Sequence, residues 1–157
     1  TGCAPVATAW AAGTTVIEPV RSPDTIVRSL AIGNPADGRY AVELANESGG
    51  SIEAIEDVET AAAIREVARL EGIYPETAGG VTLAAAAAAR RRGVIRPGDE
   101  VVALLTGNGL KTPDARWLGA TVGTLDGGRV GPGQPGLTPV MRPSLSAFEA
   151  WLEGGEA

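Results

Sequence analysis

Apolar residues recur at helical spacing most clearly between Asp57 and Leu70, where Val58, Ala61, Ala62, Ile64, Ala68 and Leu70 broadly follow it. Asp57 stands where an N-cap belongs and Gly72 where a helix stops, so the pattern predicts a helix over this span. From Val81 to Arg92 the chain is apolar on nearly every face until Arg90, which predicts a helix buried on most sides, at the centre of the fold. Shorter helical signals lie at Pro5 to Ala12 and at Arg39 to Asn46, the second ended by Ser48-Gly49-Gly50. A further helix is predicted to open at Ser22-Pro23-Asp24 and run through Leu30, with serine as cap and proline in the first turn. Two stretches read as strands. Ser51 to Ile55 alternates, and Glu100 to Leu105 holds Val101, Val102, Leu104 and Leu105 in a near-continuous apolar run, the pattern of a parallel strand covered on both faces.

The segments between these elements carry the candidate chemistry. Ile32-Gly33-Asn34-Pro35 is held out of helix, because the residue before proline is pushed from the α region and glycine permits unusual angles. Thr106-Gly107-Asn108-Gly109-Leu110-Lys111 follows the second strand directly, and in open α/β sheets ligands gather beyond the carboxyl ends of strands. Gly127 to Pro139, rich in glycine and proline, reads as a surface connector, and Ser144 to Glu153 as a short amphipathic helix with Leu145, Phe148 and Leu152 on one stripe.

Composition narrows the class. The 157 residues suffice for one domain with a hydrophobic core and are too few for two with a cleft between them. With 22 glycines and 4% aromatics the chain reads as α/β or α-rich rather than as a sandwich. A formal charge of −6 argues against nucleic acid or anionic membrane as partner, since both require a basic face. The longest apolar run ends at Arg90-Arg91-Arg92, well short of the about 20 residues a membrane span needs. That run of arginines is expected to solvate a helix end. A single cysteine, Cys3, excludes an internal disulfide, and no signal-peptide pattern opens the chain, so the cytoplasm is the expected location. With no histidine and one cysteine, neither a transition-metal site nor a nucleophilic triad is expected. The abrupt start at Thr1-Gly2-Cys3-Ala4-Pro5 reads as the interior of a longer chain.

Four blocks, in order, resemble the threonine synthases: Pro23-Asp24-Thr25-Ile26 with Ala31-Ile32-Gly33-Asn34-Pro35-Ala36; Glu71-Gly72-Ile73-Tyr74; Glu76-Thr77-Ala78-Gly79-Gly80-Val81-Thr82; and Thr106 to Lys111. The resemblance covers roughly residues 1 to 115. Arg142-Pro143-Ser144-Leu145 through Phe148 is similar to the ending of one branch, whereas Gly127 to Gly136 departs from the family. It implies a tryptophan-synthase-β-like enzyme that uses pyridoxal 5'-phosphate: a three-layer, open, mostly parallel sheet with helices on both faces. Residues 1–126 would belong to the cofactor-binding large domain, 127–139 to a connector and 140–157 to a C-terminal helical segment. By the same resemblance Thr106 faces the pyridine nitrogen of the cofactor, and Gly107 and Asn108 belong to the loop beside it. Gly107 and Gly109 would let that loop approach the ring without a Cβ clash, and Ile32, Gly33 and Asn34 would lie near the ring face. For Glu76 two readings stand side by side: a carboxylate close to the site, or a helix-start carboxylate favoured by the dipole. The Ala78-Gly79-Gly80 backbone offers a further, phosphate-binding reading.

One lysine is present, Lys111, in the strand-end loop. The family's Schiff-base lysine and its phosphate loop lie in the part of the enzyme upstream of residue 1, so no catalytic lysine is expected here, and Lys111 is expected to cap carbonyls or pair with a carboxylate. The resemblance implies conversion of O-phospho-L-homoserine and water to L-threonine and phosphate, the missing N-terminal half being supplied in cis or in trans, with a homodimer in view. Two alternatives stay open: a threonine or serine dehydratase-like enzyme of the same fold, and a non-catalytic stand-alone fragment.

Overall fold

Four helices and two single 3-10 turns make up the described part of the chain. The computed structural model describes residues 1–112, together with Ser146 and Glu149, which are helical and exposed. Thr1–Thr112 form one compact unit and Pro113–Ala157 a second. The connector expected at 127–139, the domain boundaries proposed around it and the rest of the helix expected near the C-terminus lie outside the described residues.

Helix α1 is Pro5–Ala11, with proline in its first turn, where the missing N–H costs nothing. Helix α2 is Gly38–Ser48 and packs on α1; Gly49 ends it in the left-handed conformation at φ 68°. Helix α3 is Asp57–Glu71, stopped by Gly72 at φ 66° as its position predicts. Its cap is Glu56 rather than Asp57. The Glu56 side chain accepts from the backbone of Glu59, and the Glu59 side chain accepts from the N–H of Glu56, closing a reciprocal box. Helix α4, Thr77–Arg91, begins four residues before the apolar run and packs along α3.

Small residues set that packing. A Cβ on Gly80 would stand 2.7 Å from Ile64 Cγ1 and 2.8 Å from the Thr60 carbonyl oxygen, so the two helices approach as closely as backbone allows. Thr60 and Ile64 are buried at 0% and 1% exposure, and with Ala61, Ala84 and Ala89 they form the core of this pair. The buried stripe of α3 is therefore Thr60, Ala61 and Ile64, while Val58, Ala62, Ala68 and Leu70 face outward. Nor is α4 buried on most sides: its buried residues are Thr77, Gly79, Gly80, Ala84 and Ala89.

Three expectations are corrected. The helix from Ser22 to Leu30 shrinks to one 3-10 turn, Arg28–Leu30. Asp57 explains this: its Oδ1 accepts from the Thr25 hydroxyl at 2.6 Å and its Oδ2 from the Ile26 N–H at 2.9 Å, which holds the chain before the turn in a non-helical course. Second, no strand forms among the described residues. Backbone groups of 100–106 make no backbone hydrogen bond there, and Val101, Val102 and Leu104 are exposed, Val102 to 84%. An apolar run specifies burial, but a strand also needs neighbours for its N–H and C=O groups, and the described residues provide none. Residues 51–55 form no strand either, although Ile55 is buried and its carbonyl accepts from the Thr1 amino group at 2.6 Å, so the expected three-layer parallel sheet is not seen among the described residues. Third, the arginine run ties elements together as well as facing solvent. Arg92 donates to Glu53 at 2.6 Å and lies over the Trp10 ring, and Arg91 sits 3.7 Å from Glu59 at the start of α3.

Candidate functional site

Tyr74, Pro75 and Glu76 connect α3 to α4 and meet the glycine-rich loop in an antiparallel bridge centred on Pro75 and Asn108. The Gly109 N–H donates to the Tyr74 carbonyl at 2.8 Å, and the Glu76 N–H donates to the Gly107 carbonyl at 2.9 Å. Beyond the bridge Asn108 Oδ1 accepts from the Leu110 N–H at 2.9 Å and opens the 3-10 turn Gly109–Lys111. The bridge holds Thr106, an exposed residue, just outside it.

Side chains of the facing segment lie close to both glycines of the bridge. A Cβ on Gly107 would fall on the Glu76 carboxylate, and one on Gly109 would stand 2.5 Å from the Tyr74 ring. The room that a missing Cβ leaves at these two positions is occupied by side chains of the 74–76 segment. Burial raises the Tyr74 phenol above its ordinary pKa of 10.0, in keeping with a ring packed on Gly109. Glu76 is half-buried, and its carboxylate makes no hydrogen bond or ion pair with any described residue. It precedes the first residue of α4 and is its cap residue without a side-chain cap bond.

Around Ala78-Gly79-Gly80, the segment also read as able to bind phosphate, the two glycines are closely packed. Gly79 and Gly80 are buried, a Cβ on Gly79 would stand 2.7 Å from Pro75 Cβ, and Gly80 lies on α3, so these glycines serve helix contact. Lys111 is exposed and pairs with no carboxylate among the described residues. Among these residues no group of three or more His, Cys, Asp or Glu gathers for a metal, and no helix is long and apolar enough to cross a membrane.

No backbone hydrogen bond among the described residues joins the Ile32-Gly33-Asn34 turn to the bridge. The Val20 N–H donates to the Gly33 carbonyl at 2.9 Å, and a Cβ on Gly33 would collide with the Val20 carbonyl oxygen, so Gly33 permits two backbone stretches to touch. Ile32 lines a cavity of about 310 Å³ between α1, the 52–55 segment and Val81 of α4. Cys3, Val27 and Leu30 share that cavity; Gly33, Asn34, Glu76, Thr106, Gly107 and Asn108 do not. The seven site residues named from sequence thus fall into two groups, Glu76 with Thr106-Gly107-Asn108, and Ile32-Gly33-Asn34. Asp57, read from the sequence only as a helix cap, anchors the Thr25-Ile26 stretch leading to the second group. Its partners are 31 and 32 positions away, so no local pattern could reveal it.

A sequence profile described as "Pyridoxal-phosphate dependent enzyme" matches residues 1–107, more than half of the chain. The chain belongs to this family. Among its relatives are the threonine synthase of Bacillus sp. (strain ULM1), 43% identical over 95 residues, and that of Mycobacterium tuberculosis (strain ATCC 25618 / H37Rv), 42% identical over 97. These alignments cover 60% and 62% of this chain and 27% of each relative. The threonine synthase of Methanocaldococcus jannaschii is 35% identical over 114 residues, 73% of this chain and 28% of its own. The chain therefore spans little more than a quarter of the curated relatives it matches. The family's cofactor is pyridoxal phosphate; next to the exposed Thr106, the Glu76 carboxylate lies against Gly107 and has no hydrogen-bond or ion-pair partner among the described residues.

Proposed function

We propose that the chain is the C-terminal portion of a threonine synthase, which converts O-phospho-L-homoserine and water to L-threonine and phosphate. Pyridoxal phosphate, when bound, supplies the electron sink that stabilises negative charge on the substrate carbons. This chain contributes Thr106, whose hydroxyl meets the pyridine nitrogen as a neutral partner. A hydroxyl neither demands nor strongly favours a protonated ring, so it moderates the sink where an aspartate would strengthen it. Gly107 and Asn108 carry the loop behind that hydroxyl, and Glu76 lies beside it. The lysine and the phosphate loop belong to the rest of the enzyme, whose strands pair with 51–55 and 100–105 and cover Val101, Val102 and Leu104.

The observation that carries this reading is the bridge between 74–76 and 107–109, which stands directly after Thr106 and the apolar segment 100–105 in a chain of this family. The test is Thr106→Val in the complete enzyme, with phosphate release from O-phospho-L-homoserine as the readout. Turnover falls about ten- to a hundredfold while the circular dichroism spectrum stays unchanged. Equal turnover removes Thr106 from the cofactor. Deamination of L-threonine without phosphate release assigns the enzyme to the dehydratases instead.

A further inference from the structure

The start of α3 is closed without Asp57, by the reciprocal bonds of Glu56 and Glu59. The two oxygens of Asp57 serve a distant stretch instead: Oδ1 accepts from the Thr25 hydroxyl at 2.6 Å and Oδ2 from the Ile26 N–H at 2.9 Å. The same Thr25 hydroxyl oxygen accepts from the Val27 N–H at 3.1 Å. One carboxylate thus governs three successive residues, and it suits the task because it offers acceptors only, to two donors at once. Backbone bonds carry the course onward. The Leu30 N–H donates to the Val27 carbonyl at 3.0 Å and the Ile32 N–H to the Leu30 carbonyl at 2.8 Å. In the other direction the Asp24 N–H donates to the carbonyl of Gly2, the neighbour of Cys3, at 3.1 Å. Thr25, Val27, Leu30, Ile32 and Cys3 all line the cavity of about 310 Å³, and Val27 is buried there.

We infer that Asp57 is a positioning residue: with Thr25 it fixes residues 25–27, and so sets the wall that Val27, Leu30 and Ile32 give to the cavity lined also by Cys3. Hydrogen bonds to an ionised group are stronger than neutral ones, and these are partly buried. Removing the carboxylate leaves the Thr25 hydroxyl and the Ile26 N–H without their acceptor, which costs more than the bonds themselves contribute. A helix dipole would favour any acid at the start of α3, but it places no demand on residue 25. The pairing of Asp57 with Thr25 is therefore what separates an anchor from a helix-start charge. The anchor bears on the reaction only through the placing of Ile32, Gly33 and Asn34 near the cofactor ring, which the family resemblance implies, and it holds or fails without that placing.

Cys3 is the single cysteine of the chain, so its rate of alkylation by iodoacetamide in the full chain, followed by mass, reads that wall at one thiol. Asp57→Ala is expected to react about tenfold faster than the parent, because the 25–32 segment opens more often. Thr25→Val keeps the volume, loses the hydroxyl and reacts severalfold faster, whereas Thr25→Ser keeps the hydroxyl and stays within about twofold of the parent. Glu59→Ala is the control: it opens the helix-start box without touching residues 25–27, and it too stays within about twofold. In the double variant Asp57→Ala with Thr25→Val the rate rises by less than the product of the two single effects, since both act through one bond. A full product overturns the inference, as does an Asp57→Ala chain that reacts no faster than Glu59→Ala. If circular dichroism shows Asp57→Ala unfolded, the two Thr25 variants decide: fast Thr25→Val with slow Thr25→Ser supports the anchor, and equal rates overturn it. Turnover of Thr106→Val in the complete enzyme tests the cofactor reading separately, so either idea can fail while the other stands.

Discussion

At the scale of single residues, the glycines divide by what they touch. Gly107 and Gly109 yield to side chains of the facing segment, Gly33 to a carbonyl, and Gly80 to a helix, and nothing in the order of letters distinguishes these cases. Gly80 gives the sharpest prediction. An alanine there meets Ile64 and the backbone carbonyl of Thr60, which cannot rotate away, so Gly80→Ala costs about 1–3 kcal/mol. Urea denaturation followed by circular dichroism measures it, and Ile64→Val in the same chain recovers part of the loss by giving up the methyl that stands 2.9 Å from the added carbon. A Gly80→Ala chain as stable as the parent would mean that α3 and α4 do not pack through this glycine.

At the scale of elements, the helix ends follow local chemistry closely. Gly49 and Gly72 both adopt positive φ, which any other residue but asparagine takes at a cost, and they stop α2 and α3 where the pattern breaks. Gly72→Ala is expected to destabilise the unit by about 1 kcal/mol, read from the shift in urea midpoint, and Gly72→Asn by less. The helix starts were less legible. Asp57 looked like a cap and serves instead as an acceptor for Thr25 and Ile26, while Glu56 and Glu59 do the capping. Both residues suit a first turn electrostatically, so the sequence offered two registers one residue apart. Only the distant partner of Asp57 separates them.

At the scale of the whole molecule, apolar surface lies uncovered along the segment read as a strand. Val101, Val102 and Leu104 are exposed, and their backbone makes no hydrogen bond among the described residues, which is the state of a strand without its sheet. The chain by itself is therefore expected to self-associate as concentration rises. Sedimentation velocity checks this: the weight-average coefficient climbs for the parent and stays flat for Val102→Lys with Leu104→Lys, since charge on an edge opposes pairing. A parent that remains monomeric throughout would show that this segment is covered within the chain. A chain that aligns with 27–28% of threonine synthases from several organisms is expected to have such a surface, because its relatives contain far more polypeptide with which to cover it.

The sequence by itself determined the family, the helices over 57–71 and around 81–91, the stops at Gly49 and Gly72 and the loop that holds Thr106. These depend on spacing, on backbone angles and on residue types a few positions apart. Tertiary structure alone decided which face of α3 is buried, that 24–27 bends around Asp57, that the strand-like run stands without partners, and that Glu76 and Tyr74 fill the places beside Gly107 and Gly109. Each of these depends on groups brought together from separate parts of the chain, and proximity across 31 positions, as between Ile26 and Asp57, leaves no periodic trace in the order of residues.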